Sequence, residues 1–199
     1  MLPKQEAPYT RHSHGLEQFF AYIRDRYGLA ILDLGETTQA NVQFITGLGH
    51  KVYSEDLLRS LDAAFGPEDP SEQSHPASID LFLRHNLDYD PSQFDGVLVW
   101  DVLQYMAPPL LVAVLERLQQ IVKPSSYLLA MFHAQERRGP FPCYTFRIHD
   151  AKTLFLTPRG VRQPMQTFNN RTLEKLFRDF CSLKFFLTRE QLREVIVKR

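Results

Sequence analysis

Apolar positions in this chain fall into short runs divided by polar stretches, and the spacing within each run predicts its form. Leu16, Phe19, Phe20, Ile23 and Tyr27 recur at helical intervals, so 15–27 reads as an amphipathic helix stopped by Gly28. Residues 29–34 are almost continuously apolar, the pattern of a strand covered on both faces. Thr37 or Thr38 can cap a following helix that carries Val42, Phe44, Ile45 and Leu48 and ends at Gly47 or Gly49. A second strand follows over 51–55 and a helix over 57–65. Residues 66–78 are loop by composition. The apolar run at 79–87 is too short to separate helix from strand. Phe94-Asp-Gly-Val-Leu-Val-Trp100 is the clearest buried strand; 110–122 is a helix broken by Lys123-Pro-Ser-Ser126, and 127–132 is the next strand. Strand and helix in alternation predict parallel pairing with right-handed crossovers.

The last third changes character. Alternation on both sides of His149-Asp-Ala-Lys152 predicts a β-hairpin over 144–157. A helix over 171–180 follows, with Leu173, Leu176, Phe177 and Phe180 on one face. The runs 183–187 and 194–197 are joined by a connection short enough to make them antiparallel. The expected architecture is α/β: a three-layer, doubly wound, mostly parallel sheet of about seven strands, the last antiparallel, plus an inserted β-hairpin. Residues 1–14 read as a loose polar arm and 15–199 as one domain.

Composition narrows the function classes. The 199 residues are 44% apolar and 23% charged, ordinary for a globular protein. The formal net charge is zero, which gives no basis for capturing nucleic acid through its phosphates. No stretch approaches a membrane span of about 20 apolar residues, and no signal-like run opens the chain. With Cys143 and Cys181 far apart, the expectation is a cytoplasmic protein holding two reduced thiols and binding neither nucleic acid nor membrane. The sequence is silent on oligomeric state.

Candidate chemistry concentrates where the first strand meets its loop. Ile31-Leu-Asp-Leu-Gly-Glu-Thr-Thr-Gln-Ala-Asn41 is followed by Lys51-Val-Tyr-Ser-Glu-Asp56, which puts an acid about 20 residues past the loop glycine, where doubly wound folds hold a ribose. Glu55 and Asp56 compete for that position; alternation sends them to opposite faces, and the spacing favours Asp56. Only Gly35 remains of a glycine-rich run, with Thr37 and Gln39 in the second and third glycine places. Asp101 directly follows a buried strand, and a carboxylate there needs a partner or a ligand.

The order of these elements resembles the class I S-adenosylmethionine-dependent methyltransferases over roughly residues 15–199. Ile31-Leu-Asp-Leu-Gly35 stands at that family's cofactor loop, and Phe94-Asp-Gly-Val-Leu-Val-Trp-Asp-Val-Leu103 at its fourth strand. Lys123-Pro-Ser-Ser-Tyr-Leu-Leu129 matches its Lys-Pro-Gly-Gly turn. The resemblance implies S-adenosylmethionine as cofactor. It assigns Asp33, Gly35, Glu36 and Thr37 to the loop around the methionine moiety, Asp56 to the ribose, and Asn86 and Leu87 to the adenine, and counts Leu57 among the cofactor contacts. Trp100 and Asp101 join them as residues at the carboxyl end of the fourth strand, where open α/β sheets bind ligands. It also implies methyl transfer to an unidentified small-molecule or protein acceptor, with no residue declaring itself as the base. The altered loop equally suits a non-catalytic descendant that has lost the cofactor and binds a partner. A nicotinamide-dependent oxidoreductase lacks its Gly-x-Gly-x-x-Gly and ranks third.

Every candidate also has a purely structural role open to it. Asp33 and Asp56 can cap the helices behind them, Glu36 can point to water, and Trp100 and Tyr105 can be core. His133 can accept a proton near a substrate or be a satisfied structural histidine. Cys143 reads as a buried inert thiol. Arg137, Arg138, Arg147, Arg159 and Arg162 can meet an anionic substrate or form an exposed charged loop. His12-x-His14 sits in the loose arm and reads as a pair without a third ligand, so no metal site is expected.

Overall fold

The structure, a computed structural model, describes residues 7–66, 71–134, 139–186 and 192–199. Strand β1 (Tyr9–His12) leads into helix α1 (His14–Ile23). Then come β2 (Ala30–Asp33), α2 (Gln39–Gly47), β3 (Lys51–Ser54), α3 (Leu57–Phe65), α4 (Pro76–Asn86), β4 (Phe94–Trp100), α5 (Pro108–Ile121) and β5 (Val122–His133). The chain closes with β6 (Phe141–Asp150), β7 (Thr153–Arg162), α6 (Asn170–Leu176), β8 (Ser182–Phe186) and β9 (Leu192–Lys198).

The main sheet has the order β3-β2-β4-β5-β9-β8. Its first four strands are parallel, and β9 runs antiparallel between β5 and β8. Side chains alternate between faces. Leu32, Val97, Val99, Leu128, Ala130, Val195 and Val197 join α3, α4, α5 and α6 in one core cluster. Their neighbours Ile31, Leu98, Trp100, Leu129, Met131 and Ile196 join α1 and α2 in a second. That is the expected three-layer, doubly wound arrangement. Gly96 lets α1 lie close to the sheet, since a Cβ there would fall 2.7 Å from the Phe19 ring.

Three expectations change in detail. The sheet has six strands among the described residues, because 76–86 forms α4, opened by Pro76 at its first turn. α1 ends at Ile23, short of Gly28. The supposed loose arm is ordered from Tyr9 onward: β1 pairs with β7, and with β6 they form a separate three-stranded sheet. Residues 1–6, Arg137, Arg138 and Leu187 lie outside the described residues. No described helix is long and apolar enough to cross a membrane.

Candidate functional site

The carboxyl ends of β2, β3 and β4 converge where an open α/β sheet binds ligands. Asp33 closes β2 and is buried. Its Oδ1 accepts from the Trp100 indole at 2.6 Å and from the Gly35 amide at 3.1 Å, and its Oδ2 accepts from the Asn41 amide at 2.9 Å. Burial pushes its carboxyl above the ordinary range, against the pull of those three donors. Gly35 is required by contact: a Cβ would lie 2.6 Å from the Trp100 ring. Trp100 itself takes a left-handed backbone, φ 56°, a costly conformation for a bulky residue.

The hairpin β6–β7 lies across this convergence. Phe146 stacks on Trp100 with centroids 4.9 Å apart and planes 8° from parallel. Asn41 clamps β6, donating to the Phe146 carbonyl at 3.0 Å and accepting from the Ile148 amide at 2.8 Å. Thr145 donates its hydroxyl to Glu36. Arg159, on β7, grips Asp56 with both terminal nitrogens, at 3.2 and 2.7 Å, while its Nε lies 3.7 Å from Glu36. Asp56 also caps α3 by accepting from the Arg59 amide at 3.1 Å. The groups that the resemblance assigns to methionine and ribose are therefore already bonded within the chain.

The remaining assigned residues divide. Leu57 and Leu87 are core. Asn86 lies in the last turn of α4, where its amide donates to the Phe82 carbonyl at 2.7 Å, and it lines a cleft between α3 and α4. Thr37 and Gln39, in the lost glycine places, are exposed and fill nothing; the filling comes from the hairpin. The hairpin thus lies at the carboxyl ends of the strands and covers the convergence instead of bordering it. The Asn41 clamp had no signal in the sequence beyond an amide on a helix face. Phe146 had one: the apolar alternation Tyr144, Phe146, Ile148 needs an apolar surface to cover.

Behind the plug lies a buried polar group. Asp101 is buried, one of its carboxylate oxygens has no partner, and burial lifts its carboxyl to about 7, with Arg159 and the Tyr144 amide opposing. Cys143 is pushed up to about 11 by burial and by the Asp101 charge. Tyr105 is fully buried core, and its phenol is raised for the same two reasons. The His133 ring stacks on Phe141, with Nε2 3.1 Å from the Pro142 carbonyl, and burial lowers it to about 4. Arg162 pairs with Asp62 as Arg159 does with Asp56, while Arg147 donates to Thr157. A shallow cleft of about 250 Å³ remains between α3 and β7, lined by Leu58, Asp62, Cys143, Arg159 and Arg162 among others.

No family model matches the sequence, and no curated protein matches it. Solved structures match its shape. One is the 1,6-didemethyltoxoflavin-N1-methyltransferase of Burkholderia thailandensis, solved with 1,6-didemethyltoxoflavin and S-adenosylhomocysteine; identity is 14%, coverage 93% of this chain and 76% of that one, TM-score 0.52. Another is an S-adenosylmethionine-dependent methyltransferase from Mesorhizobium loti, at 13% identity, with 92% of this chain and 96% of that one covered, TM-score 0.51. The chain therefore has the fold of the class I S-adenosylmethionine-dependent methyltransferases, with its own hairpin laid into the crevice at the carboxyl ends of the strands.

Proposed function

We propose that this protein is a non-catalytic member of the methyltransferase fold, a binding module whose cofactor place is occupied by residues of the β6–β7 hairpin. The observation that carries this reading is the engagement of Asp33, Glu36 and Asp56 by Trp100, Asn41, Thr145 and Arg159, under a Phe146–Trp100 stack. Magnitudes support it. Tyr144, Phe146, Ile148, Leu154 and Leu156 all face the second core cluster and are nearly inaccessible. At about 1.5–3 kcal/mol for each buried side chain, lifting the hairpin costs on the order of 10 kcal/mol. A cofactor bound with micromolar affinity supplies about 8 kcal/mol in total.

A second reading, methyl transfer to an unidentified acceptor, is favoured by one observation. Asp33 closes β2 and Asp56 caps α3 just past β3, the strand ends to which the resemblance assigns the cofactor. In that reading S-adenosylmethionine is the cofactor, Asp33 and Asp56 hold it, and the hairpin must swing clear. Titration calorimetry with S-adenosylmethionine and with S-adenosylhomocysteine separates the two readings. The first expects no binding heat from either. One-to-one binding at micromolar concentrations, weakened by Asp56→Ala, would overturn it in favour of the second.

A further inference from the structure

Residues 11–17 carry an alternation that the cleft does not explain. Arg11 is buried against Glu194, with Nη2 2.8 Å from a carboxylate oxygen. The backbone of Ser13 donates to Lys152 at 2.8 Å, and its hydroxyl caps α1 through the Leu16 amide at 3.1 Å. Gly15 donates to Glu194 at 2.6 Å, and a Cβ there would meet Leu129 at 2.7 Å. Each of these anchors faces inward, so the residues between them, His12 and His14, face solvent. The first turn of α1 then brings Glu17 onto the same side, three residues past His14. The sequence shows two histidines without a third ligand; the strand-to-helix turn supplies one.

We propose that His12, His14 and Glu17 form a binding site for a divalent transition ion of the Zn²⁺ type. Glu17 Oε2 lies 3.6 Å from His12 Nε2 and 3.7 Å from His14 Nδ1, and one ligand atom from each residue falls within 4.8 Å of the others. Bonds of about 2.0–2.1 Å in tetrahedral geometry place ligand atoms roughly 3.3 Å apart, so small side-chain rotations complete the triangle. Two imidazoles and one carboxylate suit Zn²⁺, Ni²⁺ or Cu²⁺, whereas Mg²⁺ and Ca²⁺ require oxygen-rich sites. Water fills the remaining coordination. The backbone under the ligands is held at Arg11, Ser13 and Gly15, so little order has to be gained on binding. The ion ties β1, outer strand of the three-stranded sheet, to α1, and acts as a structural clip on the hairpin assembly.

The test uses the whole chain. Calorimetric titration with ZnCl₂ is expected to show saturable one-to-one binding at micromolar concentrations, with MgCl₂ giving none. His12→Ala and Glu17→Gln, both at exposed positions, are each expected to weaken Zn²⁺ at least tenfold while leaving the circular dichroism spectrum unchanged. Zn²⁺ is expected to raise the melting temperature of the native chain and of neither variant. Absence of saturable Zn²⁺ binding, or binding that both variants retain in full, would overturn the site.

Discussion

Asp101→Asn probes the polar group beneath the hairpin, and its effect can be worked out before it is made. The native carboxyl titrates at about 7, while an unfolded aspartate ionises near 3.9. Between those values the folded chain holds a proton that the unfolded chain has released, so stability falls as pH rises and the loss is complete above about 7. The full difference is about 3 pK units, or about 4 kcal/mol at 1.36 kcal/mol per unit. Of this, about 2–3 kcal/mol is lost between pH 5 and pH 8. Asparagine keeps the size and cannot ionise; its amide meets a partnerless spot, which costs about 1–3 kcal/mol at every pH. The variant is therefore slightly less stable than the native chain at pH 5 and equal or more stable at pH 8. Urea denaturation at several pH values measures this, with the single tryptophan, Trp100, as the fluorescent reporter. Other titrating groups, including His133 and Asp33, are common to both chains and drop out of the difference. Parallel stability–pH curves for the two proteins would refute the argument, since they would mean that Asp101 is ionised beneath the hairpin at no cost.

Three more outcomes follow from the same structure. His133 is neutral in the folded chain down to about pH 4 but protonates near 6.5 when unfolded. Its stabilising contribution, about 3 kcal/mol, is lost as pH falls through that window, and His133→Phe should flatten the acid limb of the stability curve. Glu194→Gln removes the carboxylate charge that faces the buried Arg11 guanidinium and should cost about 3–5 kcal/mol by chemical denaturation; a loss below 1 kcal/mol would count against that pairing. Gly96→Ala drives a methyl into Phe19 and should cost about 1–3 kcal/mol, part of which Phe19→Leu in the same chain restores.

Local signals decided what could be read without coordinates. Continuous apolar runs at β2 and β4, the Thr38 cap and the Asp56 cap all act within a few residues, and each is found where the pattern puts it. The hairpin was visible because alternation flanks a turn. What stayed hidden depends on distant partners. β1 has only four residues and is a strand because β7 offers it an edge. Helix α4 occupies a stretch whose apolar run is too short to choose a period. No local rule says which face of the hairpin turns inward, so Phe146 and Arg159 as occupants of the crevice became visible only once Trp100 and Asp56 were in place. Likewise Glu17 joins the two histidines because Ser13 turns the chain between them.

The strands that close the two sheets, β1 and β9, lie far from their partners in sequence, and that sets an order of assembly. Tyr9 pairs with Leu156, so β1 finds its edge only after the hairpin has been made. β9 must enter between β5 and β8, and its register with both strands runs to Lys198. During synthesis the parallel half of the sheet exists for some time with the β5 edge open and the surface that Trp100 shares with the hairpin uncovered. Such topology folds slowly and leaves an unpaired edge exposed to other chains. Closure of the main sheet is therefore a late event, and until β9 is in place the open β5 edge leaves the chain exposed to association with other chains.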